Sequence, residues 1–280
     1  MRCFTVTVIA RCHEFLKNWT FFEWNSILRP EKFIFVISDF LCLTNILRLT
    51  PYYNSFYPEE IAGADLDKLL ALGWYRMHQT IFTSSHVGLE EVYRVHWLRY
   101  ALHEISSHPS HRKIRKRNVK VHFTIEDFTT LRADHEELHQ RYRASIDFDG
   151  AWSIEECLYG EEGIQRNIYN TKCISIFDHD QLIAGGYFDV GDQAAASILH
   201  FFDPRYRRQS LGKYLMLITI DYLMLNQFEF YYPGYVVEGN GKMNYKLFLG
   251  KEAAQYFDTE TAMWKYFEES ILIHQSTGSG

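Results

Sequence analysis

Phe202-Asp203-Pro204-Arg205-Tyr206-Arg207-Arg208-Gln209-Ser210-Leu211-Gly212-Lys213-Tyr214 is the stretch that decides the fold. It joins an apolar run at 194–202, which reads as a strand, to an apolar run at 210–226, which reads as a long helix. Asp203-Pro204 makes the turn, because proline has no N–H for a further ladder bond. A helix start leaves N–H groups unpaired and partly positive, which suits a phosphate, and Gly212 would let a ligand come close to the backbone. Asp203 closes the presumed central strand, where open α/β sheets put their ligands, and is the candidate base. An aspartate that caps the turn before Pro204 fits the same residues. His200, three residues earlier on the strand, could also serve as the base, but it falls on the opposite face from Asp203 and a lone histidine on a core strand is more often structural.

Outward from this stretch the pattern continues in both directions. Residues 171–177 and 182–190 read as strands joined by Asp178-His179-Asp180-Gln181, a hairpin signal. Residues 228–232 read as a strand after the long helix. Upstream, 119–123 reads as a strand and 128–145 as a helix, with Leu131, Leu138 and Tyr142 on one face. Before these lies a basic run with six Lys or Arg within residues 111–120: Arg112, Lys113, Arg115, Lys116, Arg117 and Lys120. Such a run is the electrostatic footprint of an RNA backbone, or else a solvated helix face. Pro58 opens a predicted helix to Leu72 with Gly73 as its stop, residues 74–82 alternate in part like a strand, and 90–105 carry mixed signals. Downstream, Tyr231-Tyr232-Pro233-Gly234-Tyr235 ends a strand in a Tyr-rich bend, followed by the basic Lys242-Met243-Asn244-Tyr245-Lys246.

The order predicts an α/β (α+β) domain with a mixed, mostly antiparallel central sheet flanked by helices, plus a smaller N-terminal region. The expected divisions are an extension at 1–50, an N-terminal subdomain at 51–118, a catalytic domain at 119–270 and a flexible tail at 271–280. Another α+β sandwich would satisfy the same order.

Bulk numbers narrow the classes. The chain has 280 residues, 47% hydrophobic and 23% charged, which is ordinary for a globular protein. Its net charge of −6 excludes wholesale coating of nucleic acid and leaves room for a local basic patch. Aromatic residues reach 16%, so stacking platforms for bases are plentiful. Cys3, Cys12, Cys42, Cys157 and Cys173 form no C-x-x-C pair, and an odd count fits free thiols in a reducing compartment. No stretch reaches the ~20 apolar residues of a bilayer span, and the start makes a poor signal peptide. A cytoplasmic protein without a metal site is expected, and nothing in the composition bears on its oligomeric state.

Four segments in order resemble the arginyl/leucyl-tRNA–protein transferase family, over roughly residues 51–267 by order of segments. Gly73-Trp74 with Arg76 and Ile81-Phe82 is similar to the family's Gly-Trp-Arg-Arg-Phe-Gly stretch. Residues 112–118 are similar to its Arg-rich segment ending in Asn. Phe202-Asp203-Pro204 with Ser210-Leu211-Gly212-x-Tyr214, and Gly234-Tyr235 with Lys242-Met243-x-Tyr245-Lys246, follow two further family patterns. The resemblance implies a GNAT-like acyltransferase fold. It implies transfer of arginine, or leucine, from charged tRNA to the N-terminal amine of a protein beginning with Asp or Glu. No cofactor is implied, since the aminoacyl ester is already activated. Asp203, Tyr235 and Tyr245 are then the catalytic candidates. Arg112, Lys113, Arg115, Lys116, Arg117, Arg208, Ser210, Leu211, Gly212, Lys213 and Tyr214 become candidates for the tRNA side. Arg76, Lys242 and Lys246 are candidate readers of the acceptor carboxylate.

The chain departs from the family where a C-x-x-C is usual. That place reads Thr83-Ser84-Ser85-His86-Val87-Gly88-Leu89-Glu90, so acceptor identity and metal dependence are open. Gln209-x-x-Gly212 is also similar to part of the CoA pyrophosphate motif of acetyltransferases, with bulky Tyr214 where a small residue is usual. A CoA-dependent N-acyltransferase, a non-catalytic tRNA binder, and a transferase acting on a small-molecule or peptide amine are therefore the alternatives.

Overall fold

The structure is a computed structural model describing residues 53–61, 63–88, 92–147, 150–160 and 166–273. The expected N-terminal extension and all but the first three residues of the expected tail lie outside these, as do Leu89 and Glu90.

Strand β1 (Tyr53–Phe56) pairs with β3 (Thr80–Ser84), which pairs with β2 (Tyr75–Met77), giving a small three-stranded sheet. Between them, helix α1 (Ala64–Ala71) is shorter than the helix expected from Pro58. Gly63, at φ 54°, turns the chain into it, and Gly73, at φ 77°, turns it out. Asp67 fixes this helix to the rest of the chain by accepting N–H bonds from Asp192, Gln193 and Ala194. Strand β4 (His86–Gly88) then pairs with β5 (Val92–Ala101), a ten-residue strand where the sequence signals were mixed.

The basic run forms helix α2 (Pro109–Arg117), with proline in its first turn and its cations in the last, where the helix dipole favours them. Strand β6 (His122–Asp127) starts later than the 119–123 expectation, and helix α3 (Ala133–Arg143) is trimmed at both ends relative to 128–145. A short helix, α4 (Ile154–Tyr159), is capped by the Ser153 side chain. Strands β7 (Thr171–Asp178), β8 (Gln181–Val190) and β9 (Ala194–Phe202) match the predicted strands closely and form an antiparallel meander with β6. Helix α5 (Leu211–Leu225) follows, then β10 (Phe230–Val237), β11 (Ala254–Asp258) and β12 (Met263–Tyr266).

These strands form a nine-stranded sheet in the order β12-β11-β5-β10-β9-β8-β7-β6, with β4 on β5. Successive residues face opposite sides. Thus Phe188 packs in the cluster under α5, and its neighbour Tyr187 in the cluster with Leu138 of α3 and Leu158 of α4. Helix α5 is apolar almost all round because it is buried almost all round, with Leu215, Leu217 and Leu223 fully enclosed.

Among the described strands β9 and β10 form the one parallel pair, and it is brief. Phe230, Tyr231 and Tyr232 face Ala194, Ala195 and Ala196, and pairing stops there. Pro233 has no N–H to donate, and Gly234 at φ 98° bends β10 away while its register against β5 shifts. A parallel pair, linked by a helix and splaying at mid-sheet, is the GNAT-like arrangement expected from the sequence. Strand β5 comes from the 51–118 half and lies between β10 and β11, so the described residues on the two sides of 118 share one sheet. Among the described residues no helix is long and apolar enough to cross a membrane.

Candidate active site

A cavity of about 460 Å³ opens where β9 and β10 part. Ala196 to His200 line it from β9, and Tyr231, Pro233, Gly234 and Tyr235 from β10. Tyr245 and Lys246 reach it from the 3-10 segment Gly241–Leu249. The opposite wall is aromatic: Tyr75 lies flat on Trp97, with ring centroids 3.7 Å apart, and Tyr235 meets Trp97 edge-on at 5.0 Å. Trp97 is fixed by its indole N–H to the Ser84 carbonyl at 2.9 Å.

Lys246 is the group with the most chemistry. Its Nζ donates to the Tyr235 carbonyl at 2.9 Å and lies 4.7 Å from the Tyr235 ring centroid. No carboxylate pairs with it among the described residues, and burial pushes its ammonium down to about 8. A Cβ on Gly234 would come 3.1 Å from this Nζ, so the glycine both permits the bend and leaves room for the cation. Of the expected catalytic set, Tyr235 and Tyr245 therefore do line the cavity.

Asp203 does not. Its carboxylate accepts from the Arg205 backbone N–H at 3.0 Å and pairs with the Arg205 guanidinium at 2.6 Å. The Arg205 side-chain bonds take both of its oxygens and hold it below the usual carboxylate range. The residue is the cap of the turn after β9. Asp203→Ala is expected to cost about 1 kcal/mol, as lost caps do, and to leave turnover intact. Thermal melting and a transfer assay on the same preparation check this.

Arg76 also needs correction as an acceptor reader. It touches the cavity wall, but its side chain is 1% exposed and its donors are spent. They go to Asp189 at 2.9 Å, Thr171 at 3.1 Å, Asn167 at 3.3 Å and the carbonyls of His78 and Leu158. Lys242 is exposed at the start of its 3-10 segment and is not among the residues lining the cavity.

The donor-side candidates divide by burial. Arg117 donates to the Arg208 carbonyl at 3.2 Å and to Ser210 Oγ at 3.4 Å, so the basic helix and the Ser210 turn are neighbours. Arg112, Lys113, Lys116, Arg117 and Arg208 are exposed, while Arg115 is held by Asp221. Lys213 lies over the Phe248 ring. Ser210 occupies the left-handed region at φ 58° and its side chain does not cap α5. Leu211 is fully buried and Tyr214 packs in the core, so neither presents a side chain to a ligand. Tyr214 therefore does not crowd a phosphate group as its sequence position suggested. Nothing but the Phe202 ring, at 3.8 Å, would meet a Cβ on Gly212.

Sequence reasoning missed Ser197, Tyr75, Trp97 and Met216 in the wall and set His200 aside. The Tyr231-Tyr232-Pro233-Gly234 bend was a usable signal: a proline and a glycine in a central strand mark where pairing must fail.

The sheet with its splayed parallel pair has the GNAT-like fold. Residues 134–254 match the family model described as arginine-tRNA-protein transferase, C terminus. The chain is 26% identical over 148 residues to an aspartate/glutamate leucyltransferase of Acinetobacter baylyi, covering 53% of this chain and 55% of that one. It is 28% identical over 155 residues to an arginyl-tRNA–protein transferase 2 of Arabidopsis thaliana, covering 47% of this chain and 25% of that one. The chain thus spans about half the length, or less, of the curated relatives it matches. Among solved structures, L-PGS from Bacillus licheniformis aligns with TM-score 0.40 and 13% identity, over 74% of this chain and 59% of that one.

Proposed function

We propose that this chain transfers an aminoacyl group from charged tRNA to the N-terminal amine of an acceptor protein. The observation that carries this is the cavity between β9 and β10, where Lys246, Tyr235 and Tyr245 of the family-like segments converge. The exposed cations of α2, with Arg208 beside the Ser210 turn, supply a docking face for the tRNA backbone. Lys246 reads the acceptor's Asp or Glu carboxylate, being a desolvated cation with no carboxylate of its own. No cofactor is needed, because the ester carries its own leaving group, and charged tRNA makes the cytoplasm the expected compartment.

Of the two expected passengers, arginine and leucine, the lining favours leucine. The described lining residues include the cation Lys246, which no carboxylate pairs, and no carboxylate of their own. A guanidinium stays charged at any accessible pH and would enter such a wall uncompensated. CoA dependence remains the second reading, because the Tyr214 ring lies in the core rather than over the Ser210 turn.

The test incubates the full chain with labelled Leu-tRNA, Arg-tRNA or acetyl-CoA and peptides beginning with Asp, Glu or Ala. Acid-stable, RNase-resistant label from Leu-tRNA on the Asp and Glu peptides is expected. Label from acetyl-CoA alone would reject the reading in favour of the acetyltransferase.

A further inference from the structure

Ser197 to His200 are the first residues of β9 beyond its last pair with β10, and they form the cavity wall there. His200 stands across from Gly186 on β8, where a Cβ would come 2.8 Å from its ring, so the imidazole lies against bare backbone. Its Nε2 is 3.4 Å from Ser197 Oγ, which is 2.8 Å from the hydroxyl of fully buried Tyr231. If Nε2 carries the hydrogen toward Ser197, then Nδ1, which makes no hydrogen bond to the protein among the described residues, is the lone-pair nitrogen.

We infer that His200 Nδ1 takes the proton from the attacking amine and returns it to the leaving ribose oxygen, with Ser197 and Tyr231 fixing its tautomer. The inference rests on the proposed transfer. The amine nitrogen bonds to the ester carbonyl carbon, the carbon–oxygen bond to the tRNA 3′ end breaks, and the amine proton ends on that 3′ oxygen. The imidazole is restored, so no further reactant is required.

The electrostatics fit a neutral base. Burial, and then Lys246, push His200 down to about 4, so it is neutral and able to accept at ordinary pH. The other titratable groups of the cavity are Tyr231 and Tyr235 on β10 and Tyr245 beside Lys246. Facing them are Tyr75, Arg76 and His78 from the β2 hairpin, and Cys157 from α4. Lys246 is the one whose charge acts on His200. An acceptor carboxylate on Lys246 cancels that charge and so removes the smaller of the two effects, burial being the larger.

The experiment compares the full chain with His200→Ala and His200→Gln, using the charged tRNA that serves the unaltered protein. Both variants should lose about 100-fold in kcat, the usual scale for a lost general base, with acceptor KM and tRNA binding unchanged. Free imidazole should restore part of the His200→Ala rate and none of the His200→Gln rate. Unchanged kcat would overturn the assignment. So would a loss that comes with lowered melting temperature and tRNA binding and that imidazole does not repair, since that pattern marks a packing role. If the unaltered protein transfers from no charged tRNA, the proposed function falls first and this inference with it.

Discussion

Arg76→Met is expected to cost about 3–5 kcal/mol of stability, the scale for breaking a buried ion pair from one side. The residue ties the small sheet to the large one. Its guanidinium leaves β2, meets Asp189 on β8 and Thr171 on β7, and closes over the Tyr169 ring at 4.4 Å. Burial pushes the Asp189 carboxyl up, and Arg76 with Thr171 pulls it back. Without the arginine, an aspartate in apolar surroundings must either stay charged at great cost or take up a proton. Arg76→Met with Asp189→Leu should recover most of the loss, because both charges then leave together. Urea unfolding of the three proteins checks this. A single variant as stable as the parent would mean that the hairpin is held by its aromatic contacts instead.

The second large effect concerns Lys246. Lys246→Gln should lower kcat/KM for acceptors beginning with Asp or Glu by about 100-fold, as for one partner of a buried charge pair, and spare Ala acceptors. The pH dependence follows from two titrations of opposite sense. The acceptor amine attacks only when neutral, so the rate rises through a pKa near ~7.7–8.0. Lys246 reads a carboxylate only when protonated, and its folded pKa is lowered to about 8, so reading is present below that value and lost above it. Acidic acceptors should therefore give a bell-shaped profile peaking near pH 8, and Ala acceptors a profile without the falling limb. Lys246→Arg should move the falling limb upward. Identical profiles for both acceptor types would remove Lys246 from acceptor reading.

The meander is legible because two strand-like runs flank the hairpin signal at 178–181, and the run at 194–202 matches its strand to the residue. Helix α5 was legible because an apolar run of that length has few other homes. The role of β5 was not legible. Val92 to Ala101 mixes Arg94, His96 and Arg99 with buried neighbours, and only its partners on either side make it a central strand. Within the site, Lys246, Tyr235 and Tyr245 were found because they sit in a distinctive local string. Asp203 and Arg76 were assigned roles from the same kind of string, and both turned out to be consumed by partners. Asp203 is satisfied two residues away and Arg76 across 113 residues, and neither pairing is visible before the chain folds.

The insertion of β5 between β10 and β11 separates likeness from foldability. The stretch that matches the family model, 134–254, is not a stretch that could stand alone. Cut there, β10 would present a raw row of N–H and C=O groups to solvent, and the aromatic wall across from the splay would be gone. The segments on either side of residue 118 share one backbone ladder. Splicing this protein, by nature or by hand, must carry the strand at 92–101 along with the segment that its relatives recognise.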